Sequence, residues 1–327
     1  MAEKYILITG ATGFIGSYVA NNLLADKRYQ IVAVVRGHGD YKNAKELEKK
    51  GAILAEGSFC DRAFIEHVFE KYSFDYVIHL AALRGAGTAT KQDFYDVNVK
   101  GTEILLEASL QHKVKKFIFC SSVGVFGTIP EKVPANLGNP LNGDNEYHYS
   151  KIIAEKAVLR YIDMGLNAFI VRPTITYGQG DNGFPSTLVH LVRRKLICLT
   201  YKDVMIHLLD VESFAGILKK LIESEDIVKR IFIIADKDPV SLRELANQIY
   251  LHYNNRPYPF YLKLPDVVFR VMINIFRIIK SEKWVTRLLL ISKNWHYDIS
   301  QTVDELGYVP VKTEDSFIRH MCGEHKE

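Results

Sequence analysis

The chain has 327 residues, 48% of them hydrophobic and 24% charged, with 42 Lys and Arg against 38 Asp and Glu for a net charge of +4. This excludes a disordered, collagen-like or low-complexity chain, because enough apolar side chain is present to build a core. The small basic excess is dispersed, which excludes the concentrated cationic face of a nucleic-acid binder; the length points to two domains, or one large domain with an appendage.

Cys60, Cys120, Cys198 and Cys322 are too far apart for a C-x-x-C pair. No metal site and no disulfide scaffold is expected, and a reducing compartment fits. At the N-terminus Glu3 precedes a short apolar run, unlike a signal peptide. The longest apolar stretch, 267–279, is interrupted by Arg270, Asn274 and Arg277. A spanning helix needs about 20 apolar residues, so the expectation is a soluble, cytoplasmic protein with no transmembrane segment, at most in peripheral contact with a membrane.

In chain order, 5–9 reads as a strand ending in glycine, 14–25 as a helix, 31–35 as a strand, 45–50 as a charged helix and 53–55 as a short strand. Residues 64–72 read as a helix, 76–80 as a strand, 94–112 as a long amphipathic helix, 117–120 as a strand, 147–164 as a helix and 168–171 as a strand. This alternation predicts an α/β fold, a doubly wound parallel sheet with helices on both faces. The rhythm breaks after Arg172. Residues 173–208 are rich in loop signals, 211–223 and 231–234 return as helix and strand, and the remainder is mostly helical. The expected organisation is a dinucleotide-binding domain of 1–172 plus 209–235, and a smaller, mostly helical substrate-binding domain of 173–208 plus 236–327.

The run Thr9-Gly-Ala-Thr-Gly-Phe-Ile-Gly16 places three glycines directly after the first strand and into the first helix. Gly10 permits the tight turn, Gly13 lets backbone approach a pyrophosphate, and Gly16 lets helix and strand pack closely. The helix N-terminus aims free N–H groups at the anion. This is the Rossmann context, with the strand before and the helix after.

The G-x-x-G-x-x-G spacing resembles the extended short-chain dehydrogenase/reductase superfamily, the NAD-dependent epimerase/dehydratase group. The resemblance continues in order through His79-Leu-Ala-Ala82, Asn98-Val-Lys-Gly-Thr102, Ser121-Ser-Val-Gly-Val-Phe-Gly127, Tyr147-His-Tyr-Ser-Lys151 and Arg172-Pro-Thr-Ile-Thr-Tyr-Gly178. Ile206-His-Leu-Leu-Asp-Val211 and Glu305-Leu-Gly-Tyr-Val-Pro310 echo later patterns, so the likeness spans nearly the whole chain. It implies a cofactor site drawn from Gly10, Thr12, Gly13, Phe14, Ile15, Gly16, Arg36, Ser58, Phe59, Leu80, Ala81, Ala82, Arg84, Asn98, Tyr147, Lys151, Pro173 and Thr174. Family members often pair through the helices that here are 94–112 and 147–164, which implies a homodimer.

The catalytic set implied is Ser122, Tyr147 and Lys151. Three Y-x-x-x-K matches occur, Tyr41/Lys45, Tyr147/Lys151 and Tyr308/Lys312. Only the second follows the serine-bearing strand on a long predicted helix, where four residues place Tyr and Lys on one face. A phenol with a reference pKa of about 10 is a poor base at neutral pH. A nearby ammonium and an oxidised nicotinamide favour the phenolate, so Tyr147 can exchange a proton with an alcohol or carbonyl as hydride moves. Ser122 would bind the same substrate oxygen, and Lys151 would also hold the nicotinamide ribose.

An acid after the second strand favours NAD. Here the strand ends Val34-Val-Arg-Gly37, with no acid before Asp40. A guanidinium at Arg36 can fork to a 2′-phosphate, so NADP is expected ahead of NAD. Ser58 stands where the family often has an aspartate, which leaves Phe59 backbone for the adenine. The family's dehydratases carry Asp-Glu where this chain has Val123-Gly124, which argues against dehydration. Ile175 replaces a frequent Asn, and 201–205 lacks a frequent Arg; both losses argue against a sugar-nucleotide diphosphate, although Lys202, Arg193 and Arg194 offer charge nearby. Phe126 in place of Tyr makes the expected pocket more apolar. Arg270, Asn274 and Arg277 form a polar stripe on an otherwise apolar helix, read as a packing helix, a lid over an apolar substrate, or a membrane-surface helix. His207 has no partners at metal spacing.

The leading expectation is an NAD(P)-dependent oxidoreductase that moves hydride between nicotinamide and a carbonyl or secondary alcohol of a small, apolar substrate, like related 3β-hydroxysteroid dehydrogenases and dihydroflavonol reductases. The alternatives are a nucleotide-sugar epimerase with retained NAD, and a non-catalytic dinucleotide-sensing protein.

Overall fold

The computed structural model describes residues 3–37, 41–85, 89–259 and 261–323. The N-terminal part runs β1 (Lys4–Thr9), α1 (Phe14–Leu24), β2 (Tyr29–Val35), α2 (Tyr41–Lys49), β3 (Ile53–Glu56), α3 (Arg62–Lys71) and β4 (Phe74–His79). It continues through α4 (Lys91–Tyr95), a π-turn (Asp96–Lys100), α5 (Gly101–Gln111), β5 (Lys116–Cys120), a 3-10 turn (Val123–Phe126), α6 (Glu146–Asp163) and β6 (Ala168–Pro173). Next come β7 (Ile175–Tyr177), α7 (Phe184–Arg193), β8 (Leu199–Thr200), β9 (Met205–Ile206), β10 (Leu208–Asp210), α8 (Val211–Glu223) and β11 (Ile231–Ile234). The chain closes with β12 (Val240–Ser241), α9 (Leu242–Asn254), β13 (Lys263–Leu264), α10 (Asp266–Ile278), α11 (Glu282–Ser292), α12 (Ser300–Leu306) and α13 (Thr313–Cys322).

Seven strands form one parallel sheet in the order β3-β2-β1-β4-β5-β6-β11. Its strands are apolar on both faces, as a sheet covered by helices on each side requires. Ile6 and Ile8 pack with Val19, Leu23 and Phe214 on one face, while Leu7 packs with Ile65, Leu105 and Val158 on the other. This alternation is the period of two that a strand imposes. Lys116 is buried in β5, where its ammonium donates to Leu221 O and Ile222 O at 3.1 Å each and also to Ser224 O. It thereby satisfies carbonyls that the end of α8 leaves unpaired.

The strand order reverses between β1 and β4, where Thr9 is in register with His79. In open α/β sheets, ligands bind outside the carboxyl ends of the strands at such a switch point. A third cluster, built around Tyr177, Tyr250, Trp295 and Phe317, forms the core of the helix-rich C-terminal region.

Three features differ from expectation. The helix expected over 94–112 is interrupted by the π-turn, because Thr102 Oγ1 donates to Asn98 O and the Asn98 side chain is tied to the loop after β4. The loop-rich stretch 173–208 contains α7, started by Pro185 in its first turn, a position at which a missing N–H costs no helix bond. Helix α10 forms, but only Phe269 and Ile273 are buried; Val267, Val271, Ile275 and Ile278 line a second apolar face that stays exposed.

Candidate active site

The glycine turn lies at the switch point. Gly10 has φ +75°, and a Cβ there would come within 2.8 Å of Ala81 N, so the turn demands glycine both for its conformation and for its contact with the end of β4. A Cβ on Gly16 would overlap Gly10 O, so α1 could not approach the turn with any larger residue. Gly13 caps α1 without a side-chain hydrogen bond. The first N–H groups of α1 therefore have no side-chain acceptor, a site suited to phosphate.

A buried hydrogen-bond chain fixes the turn relative to β4 and the π-turn. His79 Nδ1 lies 2.6 Å from Thr9 Oγ1, and Nε2 lies 3.0 Å from Thr102 Oγ1. Thr102 spends its proton on Asn98 O at 2.7 Å, so it accepts from His79 Nε2–H. Nδ1 then accepts from Thr9. Burial, helped by the charge of Lys151, drives the imidazole pKa down to about 3, which keeps this tautomer neutral.

The other sequence-predicted cofactor residues have different stations. Leu80, Ala81 and Ala82 follow β4 partly buried, and Ala81 N donates to Thr9 Oγ1 at 3.3 Å. Thr12 is buried, and its carbonyl accepts from Asn43 Nδ2 at 2.9 Å. Phe14 and Ile15 open α1, with Phe14 edge-on to Tyr18. Arg36 is exposed just beyond β2, with no hydrogen-bond partner among the described residues; Asp40 lies outside them. Ser58 Oγ accepts from Cys60 N at 3.2 Å. The Phe59 ring is wedged against His79 and Gly101, which leaves only its backbone for a ligand. Asn98 donates to Leu83 O at 3.0 Å and Ser150 Oγ at 2.9 Å and accepts from Leu83 N at 2.7 Å. One amide hydrogen and the side-chain oxygen thus hold the loop, and the other amide hydrogen ties the π-turn to α6. Arg84 is exposed in that loop, and its charge is felt by Tyr147, Lys151 and Cys120. Pro173 ends β6, and Thr174 Oγ1 is buried with no hydrogen-bond partner among the described residues.

Ser122 caps the 3-10 turn, its Oγ accepting from Gly124 N at 3.0 Å. That leaves the hydroxyl proton free to donate. Tyr147 sits in the first turn of α6, which Asn145 caps by accepting from His148 N at 2.9 Å. Lys151 follows one turn later, only 2% exposed, with Nζ donating to Cys120 O at 2.7 Å and lying over the Phe119 ring. Burial lowers its pKa to about 8. The expectation that Lys151 depresses the Tyr147 pKa differs from the structure: burial raises the phenol, and the opposing cation is Arg84. Lys151 is held against the Cys120 carbonyl instead.

Sequence reasoning missed Glu155, which completes the 147, 151, 155 face of α6. Its carboxylate takes two bonds from Arg172, at 2.9 and 2.6 Å, in a pair about 4% exposed. An acid four residues beyond Lys151 on a buried face was the available signal. Phe126, expected to make the pocket more apolar, is itself buried beneath the Arg172 guanidinium. His207 is held by Asp236 O at 2.8 Å and Tyr297 N at 3.3 Å. Among the described residues no group of His, Cys, Asp and Glu has metal-binding geometry.

This geometry fits a dinucleotide, with a cradle closed to any Cβ, an uncapped helix start and an orphaned Thr174 hydroxyl. A Rossmann sheet with a tyrosine–lysine helix at its switch point defines a nicotinamide-dependent class of protein. Residues 6–212 match the NAD dependent epimerase/dehydratase family, and the chain belongs to that family. A 219-residue segment is 32% identical to human UDP-glucose 4-epimerase, covering 60% of this chain and 62% of that protein. The chain thus matches about three-fifths of that relative's length. The whole fold is similar to the Bordetella bronchiseptica enzyme WbmH, solved in complex with NAD+, with TM-score 0.77, 18% identity and 99% of each chain covered. It is also similar to the UDP-glucose 4-epimerase of Thermotoga maritima, solved with UDP-glucose, with TM-score 0.76, 21% identity and 98% of each chain covered. No helix among the described residues is long and apolar enough to cross a membrane.

Proposed function

We propose that this protein is a sugar-nucleotide epimerase that oxidises a secondary alcohol of its substrate and reduces the ketone again on one retained NAD. The observation that carries the reading is the meeting of the glycine cradle, Ser122 and the Tyr147–Lys151 face at one switch point. The identity to a UDP-glucose 4-epimerase over 219 residues supports this reading over net oxidation or reduction of an apolar substrate. The cradle and the start of α1 would hold the diphosphate, and Lys151 and Thr174 the nicotinamide end. When bound, NAD supplies a hydride acceptor that can return the hydride. Tyr147 takes the hydroxyl proton and later gives it back, a role worth about 10²- to 10⁴-fold in rate. Ser122 donates its free proton to the same oxygen. Arg84 favours the phenolate, opposing the effect of burial. The helix pair α5 and α6, with Tyr149 and Leu159 exposed, would form the dimer face, which light scattering tests.

The second reading is an NADPH-dependent carbonyl reductase, and the exposed Arg36 guanidinium favours it. The NAD+ bound in the WbmH structure lends that reading no support. Identifying the nucleotide released on denaturation separates the two. Near-stoichiometric NAD supports the epimerase. An empty protein that binds NADPH far more tightly than NADH supports the reductase and overturns the epimerase.

A further inference from the structure

Gly124 lies two residues past Ser122, and His148 directly follows Tyr147. The fold brings them together, because a Cβ on Gly124 would overlap Nε2 and Cδ2 of the His148 ring. The imidazole thus fills the space a side chain at 124 would enter, between the Ser122 turn and the first turn of α6. Its ring centroid is 5.7 Å from that of Tyr147.

The far side of the ring is anchored. Nδ1 lies 2.5 Å from Asp144 Oδ1, to which Asn145 Nδ2 also donates at 3.2 Å. Asp144 is itself fixed by Thr128 N, which donates to Oδ2 at 2.7 Å. An ionised carboxylate only accepts, so Nδ1 carries a proton toward Asp144. Neutral Nε2 then has a free lone pair, and no described residue hydrogen-bonds to it. A carboxylate that fixes the tautomer of an imidazole leaves its other nitrogen able to take a proton as a general base. The Val123-Gly124 pair, which by itself offers no acid or base, is supplied with one by the neighbouring helix.

We propose that His148, oriented by Asp144, is a second acid–base group that removes and returns a proton at the carbon adjacent to the alcohol on which Tyr147 acts. This rests on the hydride-transfer reading above, because a C–H bond becomes acidic only once its neighbouring alcohol is a ketone. With the carbinol hydrogen transferred as hydride to the cofactor and the O–H proton on Tyr147, Nε2 takes the adjacent C–H proton. The C–H electron pair forms the enolate double bond, and the carbonyl pair moves to the oxygen held by Ser122 and Tyr147. The imidazolium or solvent returns a proton to carbon, and the hydride and the Tyr147 proton then return. The substrate class that follows is a sugar nucleotide whose hydrogen at a carbon next to the oxidised one exchanges with water.

Diethyl pyrocarbonate acylates a free imidazole nitrogen, and peptide mass spectrometry locates the adduct. His148 reacts and UDP-glucose protects it, whereas His79 and His207, hydrogen-bonded at both ring nitrogens, stay unmodified. The holoenzyme is then incubated with UDP-glucose or UDP-galactose in D2O, and carbon-bound deuterium is followed by NMR. Deuterium appears next to the oxidised carbon. Deuterium gained per alcohol oxidised falls about 100-fold in His148→Asn and by a smaller factor in Asp144→Asn. Gly124→Ala turns the ring aside and lowers the same ratio with the imidazole still present. Substrate oxidation without deuterium, an unchanged ratio in His148→Asn, or no protection by UDP-glucose overturns the role of His148 and leaves hydride transfer standing. Absence of both oxidation and protection overturns both readings.

Discussion

The β1–α1 unit and the α10–α11 hairpin are both apolar segments, yet the fold treats them in opposite ways. In β1, Ile6, Leu7 and Ile8 are fully buried, and α1 packs so closely that Gly16 has no room for a methyl group. In α10, Ile278 is 80% exposed and a small cluster of Phe269, Ile273 and Leu288 holds the hairpin together. An apolar pattern states that a segment wants a partner; a sheet supplies partners on both faces, while α10 finds one, in α11, which in turn packs Leu290 and Ile291 on the C-terminal core. The candidate site is built on the closely packed, rigid half.

The largest expected effect tests whether that rigid half carries the chemistry. Tyr147→Phe should lower turnover by about 10²- to 10⁴-fold while the circular dichroism and melting temperature stay near wild type. Full activity would detach the chemistry from α6. Leu105→Ala, in the core beside β5, should cost about 2–5 kcal/mol in denaturant unfolding. Phe269→Ala should instead loosen the hairpin alone, seen as faster hydrogen exchange across α10 and α11 with the sheet protected; equal losses in both regions would erase the comparison. Gly16→Ala should cost about 1–3 kcal/mol by overpacking and weaken NAD binding in a titration.

A finer contrast comes from pH. Burial raises the Asp236 carboxyl to about 7, although Thr313, Tyr177 and the Asp210 amide all donate to it. The folded state therefore holds a proton that the unfolded chain releases near pH 4. This contribution is fully present below that value and is lost as pH rises toward 7. Relative to Asp236→Asn, the wild-type melting temperature should fall from pH 5 to 7.5; parallel curves would show that Asp236 does not titrate there. The smallest effect is at the exposed face: Ile278→Ser should change stability by no more than about 0.5 kcal/mol.

Much of this was legible in the residues. The strand–glycine–helix run and the α/β rhythm located β1, α1 and the sheet, because local periodicity reports which faces are buried. The spacing of Tyr147 and Lys151 placed both on one helical face. Helix α7 was hidden under loop signals. The π-turn was hidden because it is set by the hydrogen bonds of Asn98 and Thr102 to other parts of the chain. The expectation of NADP from Arg36 drew on one strand end.

By itself, the sequence determined the strand–helix alternation of the parallel sheet and the glycine turn, because these follow from local periodicity and short spacings, while the roles expected of Ser122, Tyr147 and Lys151 came with the family resemblance. Tertiary structure alone decided that Glu155 pairs with Arg172, that Lys151 is held by Cys120 O, and that His148 fills the space beside Gly124. Those outcomes depend on which groups are excluded from water together, and burial of that kind joins residues far apart in the chain.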